Sequence, residues 1–535
     1  MSFVLNRVNE QQLSLFDSYD NLTEREKKVL NQSWAKYFAE YIFPRIDETP
    51  YAVLYSGKDS RPNTPVNIQI GALILKEFLG LSDDELLTAL MFDIRFQYAL
   101  HTTSFIEQPL SDRTLSRFRE RCNTYEAEHG IDLLHETVTS LSKERAELMN
   151  VDFSLRRMDS LMVSSNIRKM GRLELLYTCV ANLAKEYSKT GAQLPESMHH
   201  YIEADDRNRV IYHNHSDETA EKIAAVLKDA AVLKELCGNA YDESSNYQLL
   251  LRVLREQAVQ KEDGSYRLRT KEDGGMDASI LQNPADPDAT YREKAGKQNR
   301  GYVANVIEAA GENGSIVLDY QYEQNTHSDS QFLQEALEAE PAHDEPVTIV
   351  TDGAYAGGKN QDLAKEKQIE LVTTNLTGRE TEDIMGDFEY SEDGKTVTKC
   401  PGGQEPKSCS YNATTGQCTV SFYKSQCIGC PHYKECHPKT FKRVCRKVVS
   451  ANAKQRALQQ RMRKKEIFQK LSRFRNGVET IPSILRRKYG IDHIPVRGLI
   501  RSKFFVGNKI IALNFKKFCK AMQGMGSCAH YAANA

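Results

Sequence analysis

Apolar residues recur at helical spacing between residues 66 and 78, at Ile68, Ile70, Ala72, Leu73, Leu75 and Phe78, and the pattern stops at Gly80. This predicts a helix ended by a glycine. Ser82-Asp83-Asp84-Glu85 has capping-box spacing and opens a second helix through Leu86, Leu87, Leu90 and Met91. A third starts at Ser111-Asp112-Arg113, and residues from about 20 to 145 read as helical throughout. Residues 151–170 read as a strand. The stretch from about 172 to 290 reads as a charged, mostly helical insertion with polar breaks near 213–218 and 242–246. A hairpin is expected over 301–324, turning at Gly311-Glu312-Asn313-Gly314. A helix follows over Ser328–Ala339. Val347–Val350 is a short continuous apolar run, the pattern of a buried central strand, and Ile369–Thr374 is another strand. Strand, insertion, two strands, helix, strand, helix, strand argues for an α/β domain with an antiparallel hairpin beside parallel strands. No internal repeat is visible.

At 535 residues the chain has room for about three domains. It has 40% hydrophobic and 27% charged residues, an ordinary globular composition. No run of about 18 apolar residues exists, so no membrane span is expected. The start, Met1-Ser2-Phe3-Val4-Leu5-Asn6-Arg7, lacks the charge-then-apolar order of a signal peptide. A cytoplasmic location with reduced thiols is the expectation.

The net charge of −2 hides an uneven distribution. Residues 439–475 carry about fourteen Lys and Arg, with Glu466 the acidic exception. A solvated helix face is the plain explanation of such a run. This one includes Arg461, Arg463, Lys464 and Lys465 and leads directly into Glu479, which favours a polyanionic partner. The helix opened by Ser111 shows Arg113, Arg117, Arg119 and Arg121. With the two helices before it, it has the outline of a helix-turn-helix, although plain packing also produces three short helices.

Two apolar segments carry a carboxylate: Met158-Asp159-Ser160-Leu161-Met162-Val163, and Val347-Thr348-Ile349-Val350-Thr351-Asp352-Gly353. Glu479 follows in Arg475-Asn476-Gly477-Val478-Glu479. Two aspartates at strand ends and a glutamate on a crossing helix would build a two-metal site for phosphodiester chemistry. Mg²⁺ takes few protein carboxylates and keeps water and phosphate oxygens. Two such ions roughly 4 Å apart serve an in-line displacement at phosphorus. Asp159 would be shared by both ions, with Asp352 on one and Glu479 on the other. Among 73 Asp and Glu the choice rests on local context, and Asp152, Asp319 and Asp344 also sit in or near strands. Glu466 is the reserve for Glu479.

Of twelve cysteines, seven fall between Cys400 and Cys445. Cys427-Ile428-Gly429-Cys430 is a C-x₂-C knuckle, Cys436 follows, and Cys400-Pro401-Gly402-Gly403 supplies a fourth thiol on a tight turn. Four thiolates suit tetrahedral structural Zn²⁺. His432, His437 and Cys445 are reserves, and Cys409 and Cys418 are expected on strands between the halves. A redox role lacks a βαβ context. Cys122, Cys179, Cys237, Cys519 and Cys528 read as incidental thiols, and His213 and His215 show no metal spacing.

In order along the chain, these segments resemble a DDE transposase of the insertion-sequence type. Residues 64–122 resemble that family's helical N-terminal domain. Asp159-Ser160-Leu161-Met162-Val163-Ser164-Ser165-Asn166 resembles its first-aspartate strand. Asp286-Pro287-Asp288-Ala289, then Lys297 and Gly301-Tyr302, resembles the segment before its second strand. Thr351-Asp352-Gly353-Ala354-Tyr355 resembles its second-aspartate turn, with Ala354 interrupting the usual pattern. Arg475, Glu479 and Arg486 resemble its Arg/Glu/Lys helix, with Arg486 in place of the usual Lys and Ser472 in place of the usual Tyr. A branch of the family carries a Cys-rich insertion before the glutamate.

The resemblance implies an α/β protein whose RNase H-like mixed-sheet core is joined by an all-helical N-terminal domain, a helical insertion and a small zinc-binding insertion. The expected organisation is 1–150, helical, for DNA binding or dimerisation; 151–399, the first part of the core, with the insertion at about 172–290; 400–447, Cys-rich; and 448–535, the basic helical end carrying Glu479. The implied activity is cleavage of an element's ends and joining of the 3′-hydroxyl to target DNA. Asp159, Asp352 and Glu479 would hold two Mg²⁺ or Mn²⁺, and Cys400, Cys427, Cys430 and Cys436 a structural Zn²⁺. Arg475, Arg486, Lys464, Lys465, Arg461, Arg463, Lys297, Arg113 and Arg117 would contact DNA. The expected partners are terminal inverted repeats, target DNA and a second copy of the chain, in a prokaryotic, nucleoid-associated setting. The alternatives are a domesticated DNA-binding protein that does not cut, and a metal-dependent nuclease of the same fold that never rejoins.

Overall fold

The computed structural model describes residues 1–6, 17–58, 60–213, 215–294, 296–341, 345–374 and 381–532, without the side chains of 463 and 525–532. Asp344 and the side chains of Arg463 and Cys528 therefore lie outside the described residues. The chain forms an α/β fold of two compact units, one of Met1–Phe332 with Thr480–Ala535, the other of Leu333–Glu479.

Among the described residues, the first unit opens with the α-helices α1 (Glu24–Asn31), α2 (Trp34–Tyr41), α3 (Val66–Leu79), α4 (Asp83–Phe92), α5 (Ile94–Ala99), α6 (Asp112–His129) and α7 (Leu133–Leu148). The expected stops and starts are present. Gly80 ends α3 at φ 72°. The Ser82 hydroxyl and the Glu85 carboxylate cap α4 reciprocally, and Ser111 caps α6. The Asp83 carboxylate, in the first turn of α4, forks onto Arg119 of α6 at 2.7 and 2.8 Å and meets Lys76 of α3 at 3.0 Å.

Strand β1 (Leu155–Ser164) follows. It is shorter than the expected 151–170, because Asp152 accepts from the Ser154 amide and holds a turn before it. Asp159 lies mid-strand rather than at a strand end, since Leu161 and Val163 continue the buried alternation beyond it. Next come α8 (Arg172–Lys189), α9 (Thr219–Cys237), α10 (Ser245–Gln257) and a small ribbon of β2 (Ala258–Gln260) and β3 (Tyr266–Leu268). This region packs around its own apolar cluster, which includes Leu176, Leu183, Met198, Leu227, Leu250 and Leu281. Then β4 (Thr290–Lys294), β5 (Lys297–Gly311) and β6 (Gly314–Gln324) run antiparallel in sequence. β5 pairs with β1 on its other edge, with Asp159 opposite Val306. Its run from Tyr302 to Ala309 is buried on both faces, as befits a central strand.

The chain continues through α11 (Asp329–Ala339), β7 (Val347–Thr351), α12 (Gly358–Glu366) and β8 (Ile369–Thr373), with β7 and β8 parallel. After the short pair β9 (Glu389–Tyr390) and β10 (Val397–Lys399), the Cys-rich segment builds a four-stranded antiparallel sheet. Its elements are β11 (Ser408–Asn412), β12 (Gln417–Tyr423), α13 (Lys424–Ile428), α14 (Tyr433–Cys436), β13 (Lys439–Thr440) and β14 (Val444–Val449). Cys409 and Cys418 fall on β11 and β12, as expected. The core of this module is Met385, Phe388, Val397, Cys418, Val420, Phe422, Val449 and Ala457. The basic run forms α15 (Ala451–Arg463) and α16 (Glu466–Asn476), broken at Lys464 and Lys465. The Arg461 guanidinium forks onto Asp387 at 2.5 Å and bonds Asp383 at 3.1 Å. Glu479 lies in a continuous helical run, where a 3-10 turn, Gly477–Glu479, joins the end of α16 to the helix that follows from Thr480.

Two helices return to the first unit, α17 (Thr480–Arg487) and the 34-residue α18 (Leu499–Ala532). α18 packs against α3, α7 and β6. The Asn514 amide bonds both backbone groups of Val317, and Lys517 and Arg157 close on the fully buried Glu308 at 2.5 and 2.6 Å. No described helix is long and apolar enough to cross a membrane.

Candidate active site

In the second unit, β7 delivers Asp352 just past its last residue. The Asp352 Oδ1 accepts from the Ala354 amide at 2.8 Å and caps the turn Gly353–Tyr355, which fixes the carboxylate. α16 packs against β7. Its last turn carries Arg475, whose side chain is 8% exposed. One terminal nitrogen of that guanidinium lies 2.9 Å from Glu479 Oε1 and the other 3.6 Å from Asp352 Oδ2. Two of the three expected carboxylates, far apart in sequence, thus address one cation. Arg475, expected on a phosphate, instead sits between them.

The third, Asp159, belongs to the first unit. It is 9% exposed on β1, where its Oδ1 accepts from the Ser160 amide at 3.1 Å. The far end of β1 is tied down by residues whose individual roles the sequence did not reveal. Asp286, fully buried, accepts from the Tyr302 hydroxyl at 2.6 Å, from the Ser165 hydroxyl and from the Gly498 amide at 3.2 Å. Asp288 accepts from the Leu499 amide at the start of α18. The Asp286-Pro287-Asp288 and Gly301-Tyr302 motifs are therefore a clamp joining β1, β5 and α18. Gly301 is part of it: at φ 152°, a Cβ there would lie 2.3 Å from the Val163 carbonyl oxygen. Arg486 also holds β1, donating to the Met162 carbonyl at 3.0 Å and to Asp492 at 3.1 Å.

The reserve carboxylates have other partners. Asp319 bonds the His135 imidazole at 2.6 Å, Asp152 holds its turn, and Glu466 meets Lys470 on an exposed helix face. Among the described residues, no group of three or more His, Cys, Asp and Glu is arranged to hold a metal ion. The pair Asp352 and Glu479 still fits the protein's share of a Mg²⁺ site, which needs only one or two carboxylates.

Cys400, Cys427, Cys430 and Cys436 line one cavity of about 30 Å³ in the Cys-rich module. A Cβ on Gly402 would lie 2.8 Å from the Cys430 sulfur and 3.7 Å from that of Cys400, so only glycine lets the thiols approach there. Burial and the thiols of Cys445, Cys400 and Cys436 push Cys427 up to about 12. Four thiols lining one small cavity are the donor set that suits a thiophilic cation.

Of the expected DNA contacts, Lys464, Lys465 and Lys297 are exposed, the last near the turn between β4 and β5. Arg113 and Arg117 are exposed and line a groove of about 490 Å³ with Arg61 and Arg121. Among the described residues its lining includes no acidic one. Arg61 was missed because it lies far from the α6 arginines in sequence.

Two comparisons fall on these regions. A family described as a transposase domain (DUF772) matches residues 25–121, which contain nearly all of α1, α2–α5 and much of α6. A family described as a transposase DDE domain matches residues 399–519, which contain the four cavity cysteines, Arg475, Glu479 and Arg486. Both matches indicate a DDE transposase of the insertion-sequence type. The DDE match to this transposase includes neither aspartate, so Asp159 and Asp352 rest on their own local context. No curated protein and no solved structure matches the transposase.

Proposed function

We propose that this transposase cleaves DNA at the ends of its element and joins the freed 3′-hydroxyl to target DNA, using Asp159, Asp352 and Glu479. The convergence of Asp352 and Glu479 on one guanidinium carries the reading. Bound at these carboxylates, two Mg²⁺ or Mn²⁺ ions would activate the attacking oxygen and stabilise the leaving one. Cleavage and joining are both in-line displacements at phosphorus, so one site serves both.

The residues around the carboxylates hold them in place. The Ala354 amide orients Asp352, and the Ser165–Asp286–Tyr302 clamp and the Arg486–Met162 bond fix the strand bearing Asp159. The groove of Arg61, Arg113, Arg117 and Arg121 suits the phosphates of the terminal repeats, with Lys464, Lys465 and Lys297 as further phosphate contacts. Arg461 is committed to Asp383 and Asp387 and serves the fold instead. The four cavity cysteines would hold Zn²⁺ as a structural staple. Two element ends must meet, so the working form is a homodimer on DNA.

The test is to supply duplexes ending in the repeats that flank the gene, with Mg²⁺ or Mn²⁺. Nicked and joined products are expected. Binding without any cleavage would favour the DNA-binding alternative, and cleavage that never yields a joined product would favour the nuclease.

A further inference from the structure

Arg475 stands out because its placement differs from that of a phosphate ligand. It is almost fully buried, and its two terminal nitrogens face Glu479 at 2.9 Å and Asp352 at 3.6 Å. The two carboxylates differ in freedom. Asp352 is 23% exposed and pinned by the Ala354 amide, whereas Glu479 is 62% exposed on a 3-10 turn between two helices. A largely exposed glutamate side chain has many rotamers to choose from, and holding it costs side-chain entropy. The fork of a guanidinium, with donors on both sides, can hold one mobile and one fixed carboxylate at once, as a point-charge ammonium cannot.

We propose that Arg475 is a built-in counter-cation that occupies the metal-binding face of Asp352 and Glu479, so that a divalent ion must displace it to bind. The proposal rests on the reading that these two carboxylates are metal ligands. Arg475 then has two opposed effects. It gathers Glu479 toward Asp352 in the metal-free protein, which preserves the site. It also competes for the same oxygens and places a positive charge beside the arriving ion, which weakens metal binding. At separations of a few ångströms near a protein surface, such like-charge repulsion outweighs the modest entropy saved by gathering one side chain. The net effect of Arg475 is to lower metal affinity in the absence of DNA. Arg475 is thus a positioning residue, acting on the carboxylates rather than on the substrate.

The test measures Mn²⁺ binding to the full chain without DNA, by the loss of the free-ion electron paramagnetic resonance signal. Mn²⁺ prefers carboxylates to thiolates, which keeps the Cys-rich module out of the titration. Arg475→Gln should bind Mn²⁺ at least about tenfold more tightly than the wild type. Arg475→Lys, which retains charge but loses the fork, should bind more tightly by a smaller factor, and it remains informative if the glutamine variant fails to fold. Affinity unchanged or reduced in the folded variants overturns the proposal. Asp352→Asn and Glu479→Gln separate the two claims. If they leave Mn²⁺ binding at wild-type strength, the assignment of the metal ligands is wrong. If they abolish it while the Arg475 variants match the wild type, the assignment stands and the counter-cation role falls.

Discussion

Two residues show how much a single position can decide. Gly301 meets the Val163 carbonyl at a distance no Cβ tolerates, in a backbone conformation that L side chains rarely adopt. Gly301→Ala should cost at least about 2 kcal/mol of stability, read by urea unfolding. A cost near zero would mean that the β1–β5 register is not as described. Asp83 is the second. The Arg119 hydrogen bonds, opposed by burial and helped by Lys76, hold its carboxyl at about 2, below the usual 3.8. A depressed carboxyl stabilises the fold above pH 3.8, and that contribution is lost as pH falls toward 2. Asp83→Asn should cost about 1–2 kcal/mol at neutral pH, after allowing for its partial exposure, and should flatten this acid limb. At this scale the sequence was legible where a rule ties residue type to backbone, as at Gly80 and Ser82. It was silent where a side chain meets a distant partner. Nothing in Arg475 or Arg486 announces that one bridges two carboxylates and the other bonds a strand carbonyl.

At the scale of elements, periodicity located α3, α4, α6, the β5–β6 hairpin and β7 to within a few residues. Those elements are governed by local patterns. β4 escaped notice because its five residues, Thr290–Lys294, have no alternation of their own and become a strand by pairing with β5. The 3-10 turn at Gly477–Glu479 escaped because the basic run looks uniform, although Gly477 marks it. The contact between α7 and β6 makes its own prediction. Burial works against a charged His135, but the Asp319 hydrogen bond and charge, with Asp132, outweigh it and raise its pKa. The stabilisation is full below the ordinary 6.5 and is lost as pH rises through the raised value. Thermal stability should therefore decline from about pH 6.5 upward, and His135→Gln should remove that part of the decline. In the Cys-rich module, about one Zn²⁺ per chain should copurify, measured by elemental analysis. Gly402→Ala should reduce that content severalfold, since its methyl group would press on the Cys430 sulfur. Full zinc retention in Gly402→Ala would contradict a site at this cavity.

At the scale of the whole molecule, the two ends of the chain carry the family match and the middle carries the two aspartates. The α/β class was legible because the order of strands and helices follows from local patterns. The site was legible in part. Asp352 and Glu479 do share a partner, but spacing alone could not show what stands between them. DNA binding belongs to this scale. A groove of four arginines implies that affinity falls steeply with salt, and Arg113→Ala with Arg117→Ala should weaken binding and reduce the slope by about two counterions. The central claim is that cutting and joining DNA depends on each of the three carboxylates Asp159, Asp352 and Glu479. The measurement that tests it most directly compares strand-transfer products from wild type, Asp159→Ala, Asp352→Ala and Glu479→Ala on the same end-containing duplexes. The account predicts metal-dependent joined products from the wild type and none from any of the three, with DNA binding retained in all. Joined products persisting in any one variant would contradict it.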